Sequence, residues 1–237
     1  MSQLETFRRE TAAWLDANAP ESIYGLRSQG AFEGYWGGPK TPDPGPDRMR
    51  WLDLMVAKGW TAPTWPQEYG GGGLSPDEDR ILMEEMTQRQ LPQAVVGMGL
   101  VMLGPILLEM GTEAQKRTHL RGICEGTVRW CQGYSEPSSG SDLASLRTRA
   151  IRDGDDYIVD GQKVWTSFAD LSDWIFCLVR TDPSVAKHGG ISFLLIDMAA
   201  PGVSTRHIKL ISGASPFCET FFDSVRVPAE NVVHEVN

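Results

Sequence analysis

The sequence predicts an α+β protein in which an all-helical domain, residues 1–126, is followed by an all-β domain, residues 127–237. Up to about residue 126, apolar residues recur at helical spacing and segments begin with helix-capping residues. From Val128 onward the period changes to two, and short apolar runs alternate with Gly and Pro. A chain of 237 residues is long enough for two domains with separate cores. Several short strands at this spacing favour a small β-barrel or sandwich.

The composition excludes several classes of partner. The 22 Lys and Arg residues are outnumbered by 31 Asp and Glu residues, which gives a formal charge of -9. We therefore expect no broad basic surface for nucleic acid or an anionic membrane, although a local basic pocket is compatible with this charge. The first residues lack the features of a signal peptide, and glycines interrupt the longest apolar stretch, residues 94–110. We expect a soluble, cytoplasmic protein.

The cysteines and histidines predict no metal centre. Cys124, Cys131, Cys177 and Cys218 contain no C-x-x-C pair and have no histidine at metal-ligand spacing. Three of the four lie within apolar strand patterns, which is typical of buried thiols in a reducing cytoplasm. The four histidines are scattered along the chain, so we assign none of them a role.

Three helices are predicted in the first ninety residues. They run from Ser2 to just before Pro20, from Asp47 to Lys58, and from Ser75 to near Pro92. The first and third begin with capping boxes, in which Glu5 and Glu78 lie three residues after a serine. Gly59 fits the left-handed position just past the end of the second helix. Residues 20–46 are dense in Gly and Pro and are predicted to form a long surface loop.

Two more helices are predicted before the strands begin. Residues 94–110 form an apolar pattern that Gly97, Gly99 and Gly104 weaken, and these glycines indicate the close approach of another group. A capping box then opens a short helix, 113–120. The four glycines at 70–73 are interpreted as a loop and not as a phosphate cradle, because no strand precedes them and no Lys-Ser/Thr pair follows.

The β part is predicted to contain short strands joined by tight turns. Asp153-Gly154-Asp155 is a strong hairpin signal, and Gly161 is predicted to form the next turn. The strands are predicted at residues 147–152, 157–160, 174–179, 191–196, 203–210, 219–222 and 225–227. Neither part contains G-x-G-x-x-G or a Walker A motif, so the sequence does not support a Rossmann or P-loop fold.

The stretch from Trp130 to Asp142 joins an alternating strand to a polar turn. After Tyr134, the ring of Pro137 and the small residues 138–141 stop the strand and leave backbone N–H groups and hydroxyls without ladder partners. Such a turn is suited to binding a polar ligand. An ordinary Asx- or Ser-type loop is the alternative interpretation.

Two motifs in this half resemble the acyl-CoA dehydrogenase family. The run Tyr-Ser-Glu-Pro-Ser-Ser-Gly-Ser-Asp at 134–142 is similar to the family's flavin-binding signature, and Gly-Gln-Lys-Val-Trp-Thr-Ser at 161–167 is similar to its second flavin segment. The resemblance covers nearly the whole chain. It includes Gly-Trp-Thr-Ala-Pro-Thr-Trp-Pro from Gly59, residues 103–116, and Phe-Phe-Asp-Ser-Val-Arg-Val-Pro from Phe221.

The resemblance implies an FAD site in the β part. The residues implied to bind FAD are Gln132, Tyr134, Ser135, Ser141, Trp165 and Ser167. Ser135 would lie at the pyrimidine edge of the flavin, Trp165 would cover one face of the ring, and Ser167 would place its hydroxyl near N5. Ser141 would contact both the phosphate side of the flavin and the thioester tail of the substrate. Residues 94–110 would lie along the acyl chain.

The implied reaction is α,β-desaturation of an acyl-CoA, a step of fatty-acid and lipid metabolism. In the family, a carboxylate on a third, helical domain removes the α-proton while the β-hydrogen leaves as hydride to flavin N5. That domain would follow Asn237, so the catalytic base is unknown here and the chain alone is expected to be inactive. Glu136 is a tempting base, since a carboxylate beside a flavin pocket can have a raised pKa. The family does not use this position, so we interpret Glu136 as structural.

The implied partners are an acyl-CoA substrate, an electron acceptor of the electron-transferring flavoprotein type, and further chains in a homo- or hetero-oligomer. Two alternatives stay open at this point. The chain could be a catalytically silent or split partner subunit of such an assembly, or an oxygen-using flavin relative such as an acyl-CoA oxidase or monooxygenase.

Overall fold

The computed structural model describes residues 2–26 and 34–236. Residues 27–33 of the predicted surface loop therefore lie outside the described residues. Helices occupy the first half of the chain and strands the second, so the predicted α+β class is confirmed. None of the helices in the described ranges combines the length and the apolar character needed to cross a bilayer.

Two compact units make up the chain, and each has its own apolar core. The first comprises residues 1–101 and 117–127, and the second comprises residues 102–116 and 128–237. The core of the helical unit includes Leu15, Trp51 and Leu82, and that of the β unit includes Val159, Ile175 and Leu194. The predicted domain boundary after residue 126 stays a prediction.

The described residues contain five α-helices. They are α1 (Gln3–Asn18), α2 (Pro46–Ala57), α3 (Pro76–Gln88), α4 (Gly104–Met110) and α5 (Glu113–Glu125). The predicted capping boxes are present at the starts of α1, α3 and α5. In each box the hydroxyl of the capping residue accepts the backbone N–H of the third helical residue, whose side chain accepts the backbone N–H of the capping residue. Gly59 adopts the predicted left-handed conformation, with φ 68°. The starts of α1, α3 and α5 were therefore predicted correctly from local side-chain chemistry.

The apolar segment 94–110 differs from the single helix that its pattern predicts. It is π-helical over Gly99–Leu103 and α-helical only from Gly104. Pro105 has no N–H to donate and its ring would crowd the preceding turn, and a π-bulge absorbs this conflict. Gly97, which has φ 124°, lies outside the helix, and a Cβ there would come within 3.1 Å of the Trp36 ring. The close approach predicted at this glycine is therefore an aromatic side chain.

The described part of the β unit forms one sheet of eight strands. They are β1 (Trp130–Gly133), β2 (Arg149–Asp153), β3 (Asp156–Ser167), β4 (Trp174–Arg180), β5 (Ile191–Asp197), β6 (Val203–Ile208), β7 (Phe217–Pro228) and β8 (Val232–Val233). The strand order is β6-β7-β3-β2-β4-β5-β8, and β1 pairs with β4 in parallel. The hairpin at Gly154 is confirmed. β2 and β4 meet at a single register pair, Arg149 with Arg180.

Two predicted interruptions of strands are wrong, and both lie at one β-bulge. Gly161 continues β3 instead of turning, and a Cβ at this position would lie 2.5 Å from the Thr148 hydroxyl. The runs predicted as separate strands at 219–222 and 225–227 are one strand, β7, because Asp160 Oδ1 accepts the Ser224 N–H at 2.9 Å across the bulge. Polar residues at a bulge resemble a turn in the sequence, although the ladder continues on both sides.

Candidate functional site

The two segments singled out by sequence lie side by side in the β unit. The N–H of Val164 donates to the Ser135 carbonyl at 2.9 Å, and Lys163 Nζ donates to the Tyr134 carbonyl at 3.1 Å. These bonds connect the end of β3 to the turn that follows β1. As a result, Ser135 lies beside the residue that precedes Trp165.

A buried ion pair anchors this junction. Glu136 accepts hydrogen bonds from Lys163 Nζ at 2.8 Å, from Arg147 N at 2.6 Å and from Thr148 N at 2.8 Å. The side chain of Lys163 is 0% exposed and that of Glu136 is 6% exposed. Burial alone would raise the pKa of Glu136, but the hydrogen bonds from Lys163 and Thr148 outweigh it and hold the pKa below its usual value. The raised pKa considered for Glu136 from the sequence is therefore wrong.

Sequence reasoning missed the role of Lys163, although a signal was present. Residues 157, 159, 161 and 163 share one face of β3, and Tyr157 and Val159 on that face are buried. A lysine at the next inward-facing position is rare unless a partner neutralises it. The nearby Glu136 is that partner.

Trp165 has an unusual conformation and exposure. Its φ is 61°, which bulky residues rarely adopt, and it lies where the pairing of β3 with β7 shifts register between Lys163 and Thr166. The side chain is 56% exposed, and Phe217 meets it edge-on with ring centroids 6.0 Å apart. The β-bulge thus holds a large flat ring at the surface, which can stack on an aromatic ligand.

The other predicted site residues differ in accessibility. Ser135 is half-buried, whereas Ser167 is buried at the end of β3. The side-chain amide of Gln132 donates to Met102 Sδ at 3.4 Å, and Tyr134 packs edge-on against Phe176. Burial raises the pKa of Tyr134, so its hydroxyl stays protonated. A stacking face and several hydroxyl donors therefore lie on adjoining segments, which suits a flat heterocycle with a polar edge.

Ser141 is the outlying member of the set. It is exposed, beyond a tight turn in which Glu136 and Ser139 exchange backbone hydrogen bonds at 2.9 and 3.0 Å. Within the described ranges, no hydrogen bond joins Ser141 to the other five predicted residues. Ser141 can therefore contact a ligand of the other five residues only if that ligand extends past the Glu136–Ser139 turn.

A basic pocket that the sequence analysis did not locate lies in the same unit. Its volume is about 620 Å³, and residues 144–151 and 180–187 supply its lining. The cations are Arg147, Arg149, Arg180 and Lys187. Arg180 is structural, since its guanidinium donates to the carbonyls of Ala144 at 2.6 Å and Lys187 at 2.8 Å and so connects the two walls. The clue in the sequence was the alternation Arg147, Thr148, Arg149, which places two cations on one exposed face.

The side chain of Arg147 is exposed, and it makes no hydrogen bond or ion pair with the described residues. Ile151 and Val185 add exposed apolar surface to the lining. In a chain with a net charge of -9, positive charge next to apolar surface indicates a site for an anionic ligand that also carries an apolar group.

The helical unit has a smaller pocket of its own, with a volume of about 220 Å³. Its lining is mostly apolar and includes Trp60 and Leu100, the latter from the segment predicted to lie along an acyl chain. Two polar groups also face it. The Thr61 hydroxyl is buried without a partner among the described residues, and burial raises the pKa of Asp79. The pocket suits a small apolar group that carries a hydrogen-bond donor.

Comparisons with known proteins agree with this arrangement. Two family models match, one described as acyl-CoA dehydrogenase, N-terminal domain, over residues 44–127, and one as acyl-CoA dehydrogenase, middle domain, over residues 131–225. The acyl-CoA dehydrogenase IpdE1 of Mycobacterium tuberculosis is 40% identical over 233 residues, which cover 98% of this chain and 59% of IpdE1. The chain therefore spans less than two thirds of this relative.

Solved structures give the same result. The structure of the Tcur3481-Tcur3483 steroid ACAD has a TM-score of 0.72 and 36% identity, with 98% of this chain and 57% of that chain covered. The ChsE4-ChsE5 complex from Mycobacterium tuberculosis has a TM-score of 0.72 and 34% identity, with 100% and 57% covered. Because both domain models match in order and the relatives extend over nearly all of the sequence, this chain belongs to the acyl-CoA dehydrogenase family of oxidoreductases.

Proposed function

We propose that this chain forms the flavin-binding part of an FAD-dependent acyl-CoA dehydrogenase, which introduces an α,β double bond into an acyl-CoA thioester. The observation that carries the proposal is Trp165, a strained residue whose flat ring is exposed. Backbone strain of this kind persists where the surroundings enforce it, and it clusters at ligand sites. An isoalloxazine needs such a stacking face together with donors at its polar edge.

Each of the proposed FAD contacts has a separate task. Bound FAD would supply the hydride acceptor for the hydrogen that leaves the β-carbon of the substrate. We assign Trp165 to one face of the ring, Ser135 to its pyrimidine edge and Ser167 to N5, where a hydroxyl donor stabilises charge arriving with the hydride. Gln132 and Tyr134 support the site from β1 and the turn after it. Ser141, exposed beyond that turn, contacts the flavin phosphates and the thioester tail.

The basic pocket supports the assignment of a coenzyme A ester as substrate. Coenzyme A carries phosphates, an adenine with apolar faces and a long pantetheine arm, and the pocket offers the exposed Arg147 beside Ile151 and Val185. The structural relatives include a protein described as a steroid ACAD, so we propose a steroid-derived acyl group. A bulky ring system would distinguish this enzyme from dehydrogenases of straight-chain fatty acids.

We assign the catalytic base to none of the described residues. Glu136 is adjacent to the site, but its carboxylate already accepts three hydrogen bonds and its pKa is lowered. A general base should have a pKa near the working pH and a lone pair directed at the substrate. Since the ChsE4-ChsE5 relative is a complex of two chains, we propose a hetero-oligomer with a second chain of this family, served by an acceptor of the electron-transferring flavoprotein type.

The first test of this function is anaerobic reduction, by an acyl-CoA, of the FAD-loaded hetero-oligomer with the second chain, because this chain alone is expected to be inactive. We expect absorbance bleaching in the wild type and about 2- to 12-fold slower bleaching in Ser167→Ala, because one lost hydrogen bond of about 0.5–1.5 kcal/mol raises the barrier by that amount. The exposed Ser138→Ala is the matched control and should match the wild type. No bleaching by any acyl-CoA would favour a silent subunit, and rapid reoxidation by oxygen alone would favour an oxidase.

A second prediction concerns binding of coenzyme A itself. Arg147→Gln should weaken binding about tenfold at low salt, since a charge-assisted hydrogen bond to a phosphate is lost, and the effect should shrink as salt rises. Isothermal titration of the purified protein with coenzyme A measures this change. Arg50→Gln removes the same charge from an exposed position of α2 and should leave the affinity unchanged. If Arg147→Gln and Arg50→Gln bind coenzyme A with equal affinity, the basic pocket does not bind the coenzyme A part of the substrate.

A further inference from the structure

The fold brings together three metal-ligating side chains that are far apart in sequence. His207 on β6 and Cys218 on β7 are directly opposite each other in the antiparallel ladder, so their side chains leave the same face of the sheet. Asp170 reaches them from the turn that follows β3. One ligand atom from each residue lies within 4.8 Å of the other two. Separations of 37 and 11 residues along the chain explain why spacing rules did not reveal the cluster.

The sulfur–oxygen distance is close to that of a tetrahedral metal site, and the imidazole lies next to both atoms. Cys218 Sγ lies 3.4 Å from Asp170 Oδ1 and 3.9 Å from His207 Nδ1, and His207 Nε2 lies 3.9 Å from Asp170 Oδ2. With metal bonds of about 2.3 Å to sulfur and about 2.0 Å to nitrogen and oxygen, tetrahedral geometry places ligand atoms about 3.3–3.5 Å apart. The sulfur–oxygen edge already fits. The two 3.9 Å distances involve different ring nitrogens, and only one of them can bind the ion. Since single ligand atoms lie within 4.8 Å of one another, the imidazole must approach by about 0.5–1.5 Å. Its side chain is 59% exposed.

The chemistry of the three ligands selects the ion. A thiolate and an imidazole are preferred by zinc and other borderline-soft d-block cations, whereas magnesium and calcium prefer all-oxygen sites. A carboxylate completes a three-residue set of the kind that leaves a fourth tetrahedral position for water. From this geometry we infer that Asp170, His207 and Cys218 form a zinc-binding site at the β6–β7 edge of the sheet.

Binding must displace the thiol proton. Cys218 is buried, and a cysteine thiol is mostly protonated near neutral pH before the metal arrives. When the S–H bond breaks and the zinc–sulfur bond forms, one proton passes to the solvent for each ion bound. His207 binds through an unprotonated ring nitrogen. Entry of the ion is from the exposed His207 side, because Cys218 itself is closed to solvent.

The site adjoins the strained end of β3. Cys218 pairs with Thr166 across the ladder, and the N–H of Phe168 donates to the Pro216 carbonyl at 2.8 Å. An ion held between Asp170 and Cys218 would therefore fix the turn after Ser167 to β7. We expect bound zinc to raise the melting temperature of the protein, in proportion to the logarithm of zinc concentration above the dissociation constant.

Titration with Co²⁺, a spectroscopic substitute for zinc, tests the inference in the purified protein kept reduced. The wild type should develop a thiolate-to-cobalt charge-transfer band that saturates at one equivalent, disappears on addition of Zn²⁺, and is accompanied by release of about one proton. Cys218→Ser should abolish the band. His207→Gln, at an exposed position where folding is not at risk, should weaken cobalt binding at least tenfold.

His188→Gln is the matched control, because His188 is exposed and lies outside the cluster, and it should leave the titration unchanged. Absence of the charge-transfer band in the folded wild type would overturn the inference. So would a band that persists in Cys218→Ser, or one that is equally strong in His207→Gln. None of these outcomes depends on flavin or acyl-CoA binding, so the metal site and the proposed enzyme function can fail separately.

Discussion

Lys163→Met should lower the free energy of unfolding by about 3–5 kcal/mol at neutral pH. The substitution leaves the buried Glu136 carboxylate without its cation, and an uncompensated buried charge has a cost of this size. Urea unfolding followed by circular dichroism measures the change. Lys187→Met removes a lysine that also pairs with a carboxylate, Asp142, but both side chains are at least half exposed, so that variant should lose no more than about 1 kcal/mol.

The destabilisation should also depend on pH. In the wild type the pKa of Glu136 is lowered, so its contribution to stability is present above the pKa of the unfolded chain and is lost as pH falls through the folded value. In Lys163→Met the cation that lowers the pKa of Glu136 is gone, and burial raises this pKa. Protonation of Glu136 at acid pH then no longer lowers the free energy of unfolding. The difference between variant and wild type should therefore shrink as pH falls from 7 toward 4. A difference below 1 kcal/mol at pH 7 would show that the pair is not a major stabilising contact.

Trp165→Ala should weaken FAD binding by about 3–4 kcal/mol, which is roughly two to three orders of magnitude in Kd. Covering one indole face hides roughly 100 Å², about half of what a buried Trp contributes, and is worth about 2.5 kcal/mol. Ring stacking adds about 0.5–1.5 kcal/mol. Isothermal titration or flavin fluorescence measures the affinity. The expected loss is large because the ring is already exposed and held in place before the ligand binds.

Two controls separate stacking from general destabilisation. Trp165→Phe keeps a flat ring and should retain most of the affinity. Tyr24→Ala removes another exposed aromatic ring, in the helical unit, and should leave FAD binding unchanged. If Trp165→Ala binds FAD as tightly as the wild type, the indole does not stack on the flavin. The proposed function then loses the observation on which it mainly rests.

Local signals in the sequence predicted much of the fold. The capping boxes at Ser2, Ser75 and Thr112 mark helix starts, because a side chain and a backbone group three residues away satisfy each other. The failures arise where distant contacts decide the backbone. Gly161 was predicted to form a turn because its packing against Thr148 cannot be read from the sequence. The bulge at Ser224 was missed because the hydrogen bond from Ser224 to Asp160 joins residues that are far apart in sequence.

The candidate site shows the same limit. Resemblance supplied the positions of Trp165 and Ser167, but the positive φ and the exposure of Trp165 appear only in three dimensions. The partner of Lys163 is 27 residues away in sequence, and the two walls of the basic pocket are separated by more than that. Alternation along β3 and around Arg147 was a signal that could have marked these side chains as unusual, although the sequence analysis did not use it. It was not sufficient to say what they contact.

The single register pair between β2 and β4 has a consequence for how the sheet loses structure. It divides the strands into one block of β6, β7, β3 and β2 and another of β1, β4, β5 and β8, with little backbone hydrogen bonding at the seam. The Lys163–Glu136 pair crosses from the first block to the segment that leaves β1. The salt bridge therefore adds to the coupling that the shared apolar core and the Val164–Ser135 backbone hydrogen bond provide, and we expect its loss to lower amide protection in native-state hydrogen exchange first at the seam.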